Sequence, residues 1–281
     1  MNTSRIILLI FLMLLAQGCS GPTVLMGFQA ITQSEDGTYI GKVRDNKRHG
    51  KGTLKYLDGS EYVGQWRDGK QNGKGVLTYT DGSRYIGKWK DGKQSGKGIL
   101  TFPDKRRYVG EWQKGRYSGH GTLQFKNGDL YIGEFLKGKP SGKGVLTFPD
   151  KRQYVGEWLY GEYEGEGTLT YPDGRIYKGK WSDGEHEGEG TLTYPDGRKY
   201  EGMWHEGKPH GQGTFTWKNG NSYSGEYLNG KPNGKGTYTY ADGIKFSGTF
   251  ENGVPTGMGK VVLPNGREFK GPATREPLPS F

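Results

Sequence analysis

An aromatic ring returns every 23 positions through most of this chain, at Tyr39, Tyr62, Tyr85, Tyr108, Tyr131, Tyr154, Tyr177, Tyr200, Tyr223, Phe246 and Phe269. No insertion interrupts the series, and a fixed period in this range marks a repeat architecture in which each unit needs its neighbours. Companion residues keep the same phase. Two residues after each ring stands Gly, from Gly41 and Gly64 onward to Gly271. Four residues after it stands Trp66, Trp89, Trp112, Phe135, Trp158, Trp181, Trp204, Tyr227 or Phe250, and only the first unit weakens, with Val43.

Later in each unit comes Gly-x-Gly-x-(Leu or similar)-x-aromatic, as in Gly73-Lys74-Gly75-Val76-Leu77-Thr78-Tyr79 and Gly165-Glu166-Gly167-Thr168-Leu169-Thr170-Tyr171. This alternation predicts β-strands: Tyr, Gly and Trp share one face of the first strand, and Gly, Gly, Leu and Tyr one face of the second. Thr, Lys, Glu and Val fill the opposite face, as in a sheet with one wet side. Turn residues sit between the strands. Asp58-Gly59, Asp81-Gly82, Asp173-Gly174, Asp196-Gly197 and Asp242-Gly243 predict type I′ hairpin turns, where both central residues need positive φ. Asp104-Lys105 and Asp150-Lys151 lack that Gly, so those two turns are expected to be longer or strained. Gly69, Gly92 and Gly115 mark the other connection, read as a looser bend.

Each 23-residue unit is then a β-hairpin that cannot bury its aromatic face alone, so neighbours must stack to hide it. Gly makes up 52 of 281 residues and hydrophobic residues only 31%, which excludes a thick globular core. The 19 Tyr, 11 Phe and 7 Trp exclude a disordered chain, because such chains are poor in aromatics. Glycine in the inward columns leaves bare backbone for rings to lie across. With two strands per unit at roughly 4.8 Å each, ten units extend about 95 Å as a twisted ribbon.

Tyr-x-Gly-x-Trp-x-x-Gly, Gly-x-Gly-x-Leu-x-Tyr and a closing Asp-Gly at period 23 resemble the MORN repeat family, over residues 37–271. The resemblance implies an all-β fold, an elongated single-sheet array of about ten stacked 23-residue hairpins. It also implies use in membrane or phospholipid association, self-association or partner scaffolding. Enzymes of the family carry a separate catalytic domain, and no residues remain here to make one.

The N-terminus reads as an export signal over residues 1–18: Arg5 gives a positive start and Ile6–Leu15 an unbroken apolar run. Ten apolar residues fall short of the roughly 20 that span a bilayer. Leu15-Ala16-Gln17-Gly18-Cys19 resembles the lipobox of bacterial lipoproteins, although Ala16 replaces the usual Leu and Gln17 a small residue. A plain small-x-small site, Ala16-x-Gly18, would be cut at the same bond. Cys19 is the one cysteine of the chain and cannot form an internal disulfide, so acylation gives it a use. Ser20 after it resembles the outer-membrane class of such lipoproteins, where the host has two membranes. Residues 19–36 are expected to be a lipid-attached tether and residues 272–281 a tail outside the sheet.

Charge is uneven along the array. Residues 39–153 carry 25 Lys and Arg against 11 Asp and Glu, a net +14, whereas residues 154–281 carry 14 against 17, a net −3. One column shows the change: Lys51, Lys74, Lys97 and Lys143 precede the second Gly of their units, and Glu166 and Glu189 stand there later. Glu162, Glu164, Glu185 and Glu187 extend this acidic band. The four lysines are the candidate site for an anionic lipid surface or envelope polymer, where a basic patch reinforces a single acyl anchor. Charges that only keep an edge-bearing ribbon soluble are the plainer alternative. Nucleic acid is a poor partner, because the rings face inward and an exported protein rarely meets it.

Catalytic and metal chemistry find little support. His49, His120, His186, His205 and His210 fall at different offsets; His205 and His210 share a unit and could approach across a bend, but lack a third ligand. Gly-x-Gly recurs inside strands with no helix after it, so no phosphate loop follows. No Ser, His and acid set stands apart from the repeat positions. The expectation is a non-enzyme without metal or cofactor: an envelope-anchored scaffold that binds an anionic membrane surface through its basic N-terminal half. The alternative is a protein-interaction or self-association module without direct lipid binding.

Overall fold

The computed structural model describes residues 23–26 and 29–272. Export signal, Cys19 and residues 273–281 lie outside the described residues. Two compact units are divided between Arg116 and Tyr117. In unit 1 the strands are β1 (Thr23–Met26), β2 (Gln29–Ser34), β3 (Gly37–Arg44), β4 (Lys47–Tyr56), β5 (Glu61–Arg67), β6 (Lys70–Thr78), β7 (Arg84–Lys90), β8 (Lys93–Thr101) and β9 (Arg107–Gln113). Unit 2 begins within β10 (Arg116–Gln124). It continues with β11 (Leu130–Leu136), β12 (Lys139–Thr147), β13 (Gln153–Leu159), β14 (Glu162–Thr170), β15 (Ile176–Ser182) and β16 (Glu185–Thr193). It ends with β17 (Lys199–His205), β18 (Lys208–Thr216), β19 (Ser222–Leu228), β20 (Lys231–Thr239), β21 (Lys245–Glu251), β22 (Val254–Val262) and β23 (Glu268–Pro272). Within each unit every strand pairs antiparallel with the next, one hairpin after another, in the all-β open sheet that the repeat implies.

The sheet overruns its expected ends. β1 and β2 lie in the stretch expected to be a tether, and β2 pairs with β3 from Ala30↔Gly41 to Ser34↔Gly37. The first unit thus has a strand partner on its N-terminal side, although that partner carries no copy of the aromatic motif. At the other end Pro272 belongs to β23, opposite Met258. An edge strand accepts Pro because no further strand needs its amide.

Aromatic columns run where the alternation places them. Tyr62 is fully buried, Trp66 nearly so, and the Tyr62 hydroxyl donates to the Gln65 carbonyl at 3.0 Å. Gly64 pairs with Gly75, and the Tyr62 ring crosses both. A β-carbon on Gly64 would stand 2.5 Å from Tyr62 Oη, and one on Gly75 closer still. A repeat Tyr meets edge-on both the Trp of its own repeat and that of the next: Tyr62 lies 5.1 Å from Trp66 and 5.1 Å from Trp89. Unit 2 repeats the pattern, with Tyr154 at 5.2 Å from Trp158 and 5.3 Å from Trp181. Such pairs contribute about 0.5–1.5 kcal/mol each beyond the area they bury.

The two kinds of turn exchange the characters read from the sequence. At Asp58-Gly59 only Gly59 has positive φ (90°); Gly59 N donates to Tyr56 O at 3.1 Å, and Tyr56 N to Ser60 O at 2.9 Å. This is a three-residue loop closed by a glycine bulge. Asp58 serves as a side-chain cap instead, its Oδ1 accepting the Ser60 amide at 2.8 Å. The tight type I′ turn sits at the connection read as loose, where Asp68 (φ 49°) and Gly69 (φ 82°) both enter the left-handed region between the paired Arg67 and Lys70. Lys105 and Lys151 keep the three-residue loop unlengthened and take φ of 75° and 74°, so those turns are strained and not longer. Each type I′ turn from Asp68-Gly69 onward is also bound to the preceding repeat. Gly69 N donates to Arg48 O at 3.0 Å, and Gly184 N to Tyr163 O at 3.0 Å.

Candidate functional site

With the rings turned to one face, the opposite face carries what remains for binding. In unit 1 it bears a central aliphatic column: Ile40 opposes Thr53, Thr53 opposes Val63, Val63 opposes Val76, Val76 opposes Ile86, and Ile86 opposes Ile99. Ile40, Val63 and Ile86 remain 40–47% exposed. Beside it, toward the type I′ turns, runs a cationic strip. Lys74 stands directly opposite Lys88. Arg44 opposes Lys47, Arg67 opposes Lys70, and Lys90 opposes Lys93, so like charges flank three successive turns. Like charges directly across a ladder are destabilising. Turn carboxylates give partial relief: Arg44 Nη2 lies 3.2 Å from Asp68, and Arg67 Nη2 4.0 Å from Asp91. Shallow notches open along the strip at each bulge. One is lined by Lys42, Lys51 and Arg67 around Gly73, the next by Arg67, Lys74, Lys88 and Lys90 around Gly73 and Gly96.

The four candidate lysines divide. Lys51, Lys74 and Lys97 are exposed on this face of unit 1. Lys143 belongs to unit 2; like Lys97, which opposes Glu111, it opposes a glutamate, Glu157, and its amide donates to Glu134 Oε1 at 3.1 Å. Lys42, Lys88, Lys70 and Lys93 complete the strip and were missed by sequence reasoning, which followed only one column. Counting outward from each ring in steps of two, on both strands of the hairpin, finds them.

Other basic residues are consumed by the fold. Arg48 packs 5.5 Å from the Tyr39 ring and 5.2 Å from Trp66 and forms an ion pair with Asp36. That hydrogen bond holds the Asp36 carboxyl well below the usual carboxylate range, at about 2. Arg106 lies 4.2 Å over Phe102 while pairing with Asp104, and Arg152, Arg175 and Arg198 clasp their own turns the same way. The raw +14 therefore overstates the free charge of the basic half, and the outer face of unit 1 concentrates what is free.

The acidic band also divides. Glu164 and Glu187 accept the turn amides of the following repeat, Asp183 N at 3.3 Å and Glu206 N at 3.2 Å. Glu157, Glu162, Glu166, Glu185 and Glu189 stay exposed on the outer face of unit 2. They occupy the columns that hold the cationic strip in unit 1. His205 and His210 do approach, at 5.5 Å between ring centroids, and His205 Nδ1 lies 3.2 Å from Glu187, which raises the imidazole pKa. Among the described residues no group of three or more His, Cys, Asp or Glu is placed to hold a metal ion.

The family description "MORN repeat" matches ten segments: residues 39–61, 62–84, 85–105, 108–130, 131–151, 154–174, 177–197, 200–222, 223–245 and 246–266. No curated protein matches the chain. Among solved structures it is similar to the TCP10 domain of Danio rerio CPAP, at 15% identity and a TM-score of 0.37, over 79% of this chain and 99% of that one. It is also similar to the SAS-4 (dCPAP) TCP domain of Drosophila melanogaster, solved in complex with a proline-rich motif of Ana2. There the identity is 14% and the TM-score 0.31, over 70% of this chain and 88% of that one. Likeness at these scores supports no statement about function.

Proposed function

We propose a function from one premise: the chain belongs to the MORN repeat family. It is a non-catalytic scaffold, exported and tethered through an acylated Cys19, whose cationic outer face in unit 1 lies on an anionic membrane surface. The observation that carries this reading is the set of like-charge pairs Arg44↔Lys47, Arg67↔Lys70, Lys74↔Lys88 and Lys90↔Lys93, which weaken the sheet, are relieved only in part by Asp68 and Asp91, and would be relieved further by an anionic partner. Each Lys or Arg near an anionic bilayer contributes about 1 kcal/mol. A single acyl chain gives only marginal binding, so strip and anchor reinforce each other.

Vesicle sedimentation of the mature chain carrying Cys19→Ser tests the strip without the lipid. Binding is expected to vesicles containing phosphatidylglycerol and not to pure phosphatidylcholine, and to weaken as salt shortens the Debye length from about 10 Å at 0.1 M. K51Q/K74Q/K97Q should weaken it by about 100-fold, three contributions of roughly 1 kcal/mol. Equal binding to both vesicle types would refute the reading.

A further inference from the structure

The cationic strip of unit 1 and the acidic band of unit 2 occupy the same outer-face columns of the same repeat. We propose that the acidic face of one copy, built on Glu162, Glu166, Glu185 and Glu189, docks on the cationic face of a second copy, around Lys70, Lys74 and Lys93.

Three observations carry the pairing. First, the charges are opposite in sign and exposed. Glu162 stands across from Leu159, Glu185 from Ser182 and Glu189 from Met203, so none faces a cation across the ladder; Glu166 alone does, facing Lys180. None of these four glutamates makes an ion pair among the described residues. Second, the spacing matches by construction. Both faces are written on one 23-residue unit, two strands of roughly 4.8 Å each, so cations and carboxylates recur at a common pitch of about 10 Å. Row can lie on row without adjustment of the backbone. Third, the cationic column of unit 1 borders an apolar one, Val63, Val76 and Ile86, while the acidic column of unit 2 borders Val155, Thr168, Lys178 and Thr191, so the drier strip next to the ion pairs is supplied by unit 1. Twisted sheets packed face to face cross at about 30°, which limits close overlap to a few strands. The four glutamates lie on β14 and β16, within three successive strands.

Because the same strip is proposed to meet the membrane, self-association and membrane docking exclude each other, and the first would hide the face used in the second. That competition rests on the proposed function; the self-association does not.

Sedimentation velocity of the mature Cys19→Ser chain without lipid tests it. At about 20 mM salt the mean mass is expected to rise with protein concentration, and at about 500 mM salt to fall to that of one chain, since exposed ion pairs are screened. E162K/E185K/E189K and K70E/K74E/K93E should each sediment as single chains, and their equimolar mixture should associate at least 10-fold more tightly than either alone. Unchanged near-ultraviolet dichroism and melting temperature certify that both variants fold; the second removes like-charge pairs and should melt no lower than the parent. A parent that stays a single chain at every concentration in low salt overturns the proposal. So does a mixture of two folded variants that fails to associate. Vesicles separate this from the membrane reading: E162K/E185K/E189K keeps phosphatidylglycerol binding, whereas K70E/K74E/K93E loses it. Assembly without vesicle binding defeats only the membrane reading.

Discussion

Histidine 186 places an acid-labile point inside the aromatic column of unit 2. Its ring stacks on Tyr177 at 3.6 Å and 17°, lies 4.4 Å from Trp181 and 5.0 Å from Trp204, and leaves Nδ1 buried without a partner. Burial pushes its pKa down from 6.5 to about 4. The unfolded chain binds this proton near pH 6.5 and the folded one only near pH 4, so the folded state is fully favoured above 6.5 and loses stability as pH falls toward 4. At one pKa unit per 1.36 kcal/mol, the loss reaches about 2.5 kcal/mol by pH 4.5 and about 3 kcal/mol below pH 4. One repeat earlier the same position is Tyr163, stacked on Tyr154 at 3.7 Å and 14°, so His186→Tyr should fit without rearrangement. Urea denaturation followed by Trp fluorescence, for parent and His186→Tyr at pH 7.5 and pH 4.5, isolates the effect. Carboxylates such as Asp36, whose pKa is also perturbed, are common to both proteins and cancel in the difference. The variant is expected to lose about 2.5 kcal/mol less than the parent on acidification. Equal losses would show that His186 takes up its proton in the folded state at the ordinary pH, and the burial argument would fail.

Gly75→Ala should destabilise by about 2–4 kcal/mol, because its β-carbon collides with the Tyr62 ring and the Gly64 pairing leaves no room to yield; a change under about 0.5 kcal/mol by urea titration would contradict this. Trp158→Ala should cost about 3–5 kcal/mol, the range for buried aromatics, since the ring contacts Tyr131 and Tyr154 and its Nε1 donates to Gly144 O at 3.3 Å. Lys105→Gly should stabilise by about 0.5 kcal/mol, because relief of a left-handed φ of 75° outweighs the extra freedom of glycine in the unfolded chain; a lowered melting temperature would argue against strain in that turn.

Strands, columns and buried rings were legible because period 2 within period 23 fixes which side chains share a face, and one slip would expose every ring. The turns were not, because Asp-Gly has two uses. Asp68 enters the left-handed region itself, whereas Asp58 stays out of it and offers its carboxylate to Ser60 N. Lys114, Tyr160 and Glu206 fill the same position as Asp68, so the type I′ turn depends on the glycine that follows and on the repeat behind it. The strands β1 and β2 were hidden because they carry no ring and no copy of the repeat motif. The site was half legible. Lys51, Lys74 and Lys97 lie where the column predicts, but their partners across the ladder, Gln65, Lys88 and Glu111, follow from register and not from sequence spacing.

The hydrogen bond from each type I′ glycine back to the repeat before it, Gly207 N to His186 O or Gly230 N to Pro209 O, sets how such a chain can change length. Excising one whole period, such as residues 177–199, presents the next glycine with an equivalent carbonyl, whereas losing two or three residues leaves it facing none. Growth and shrinkage are thereby quantised, and diversity must come from what is painted on a surface whose ruling never changes.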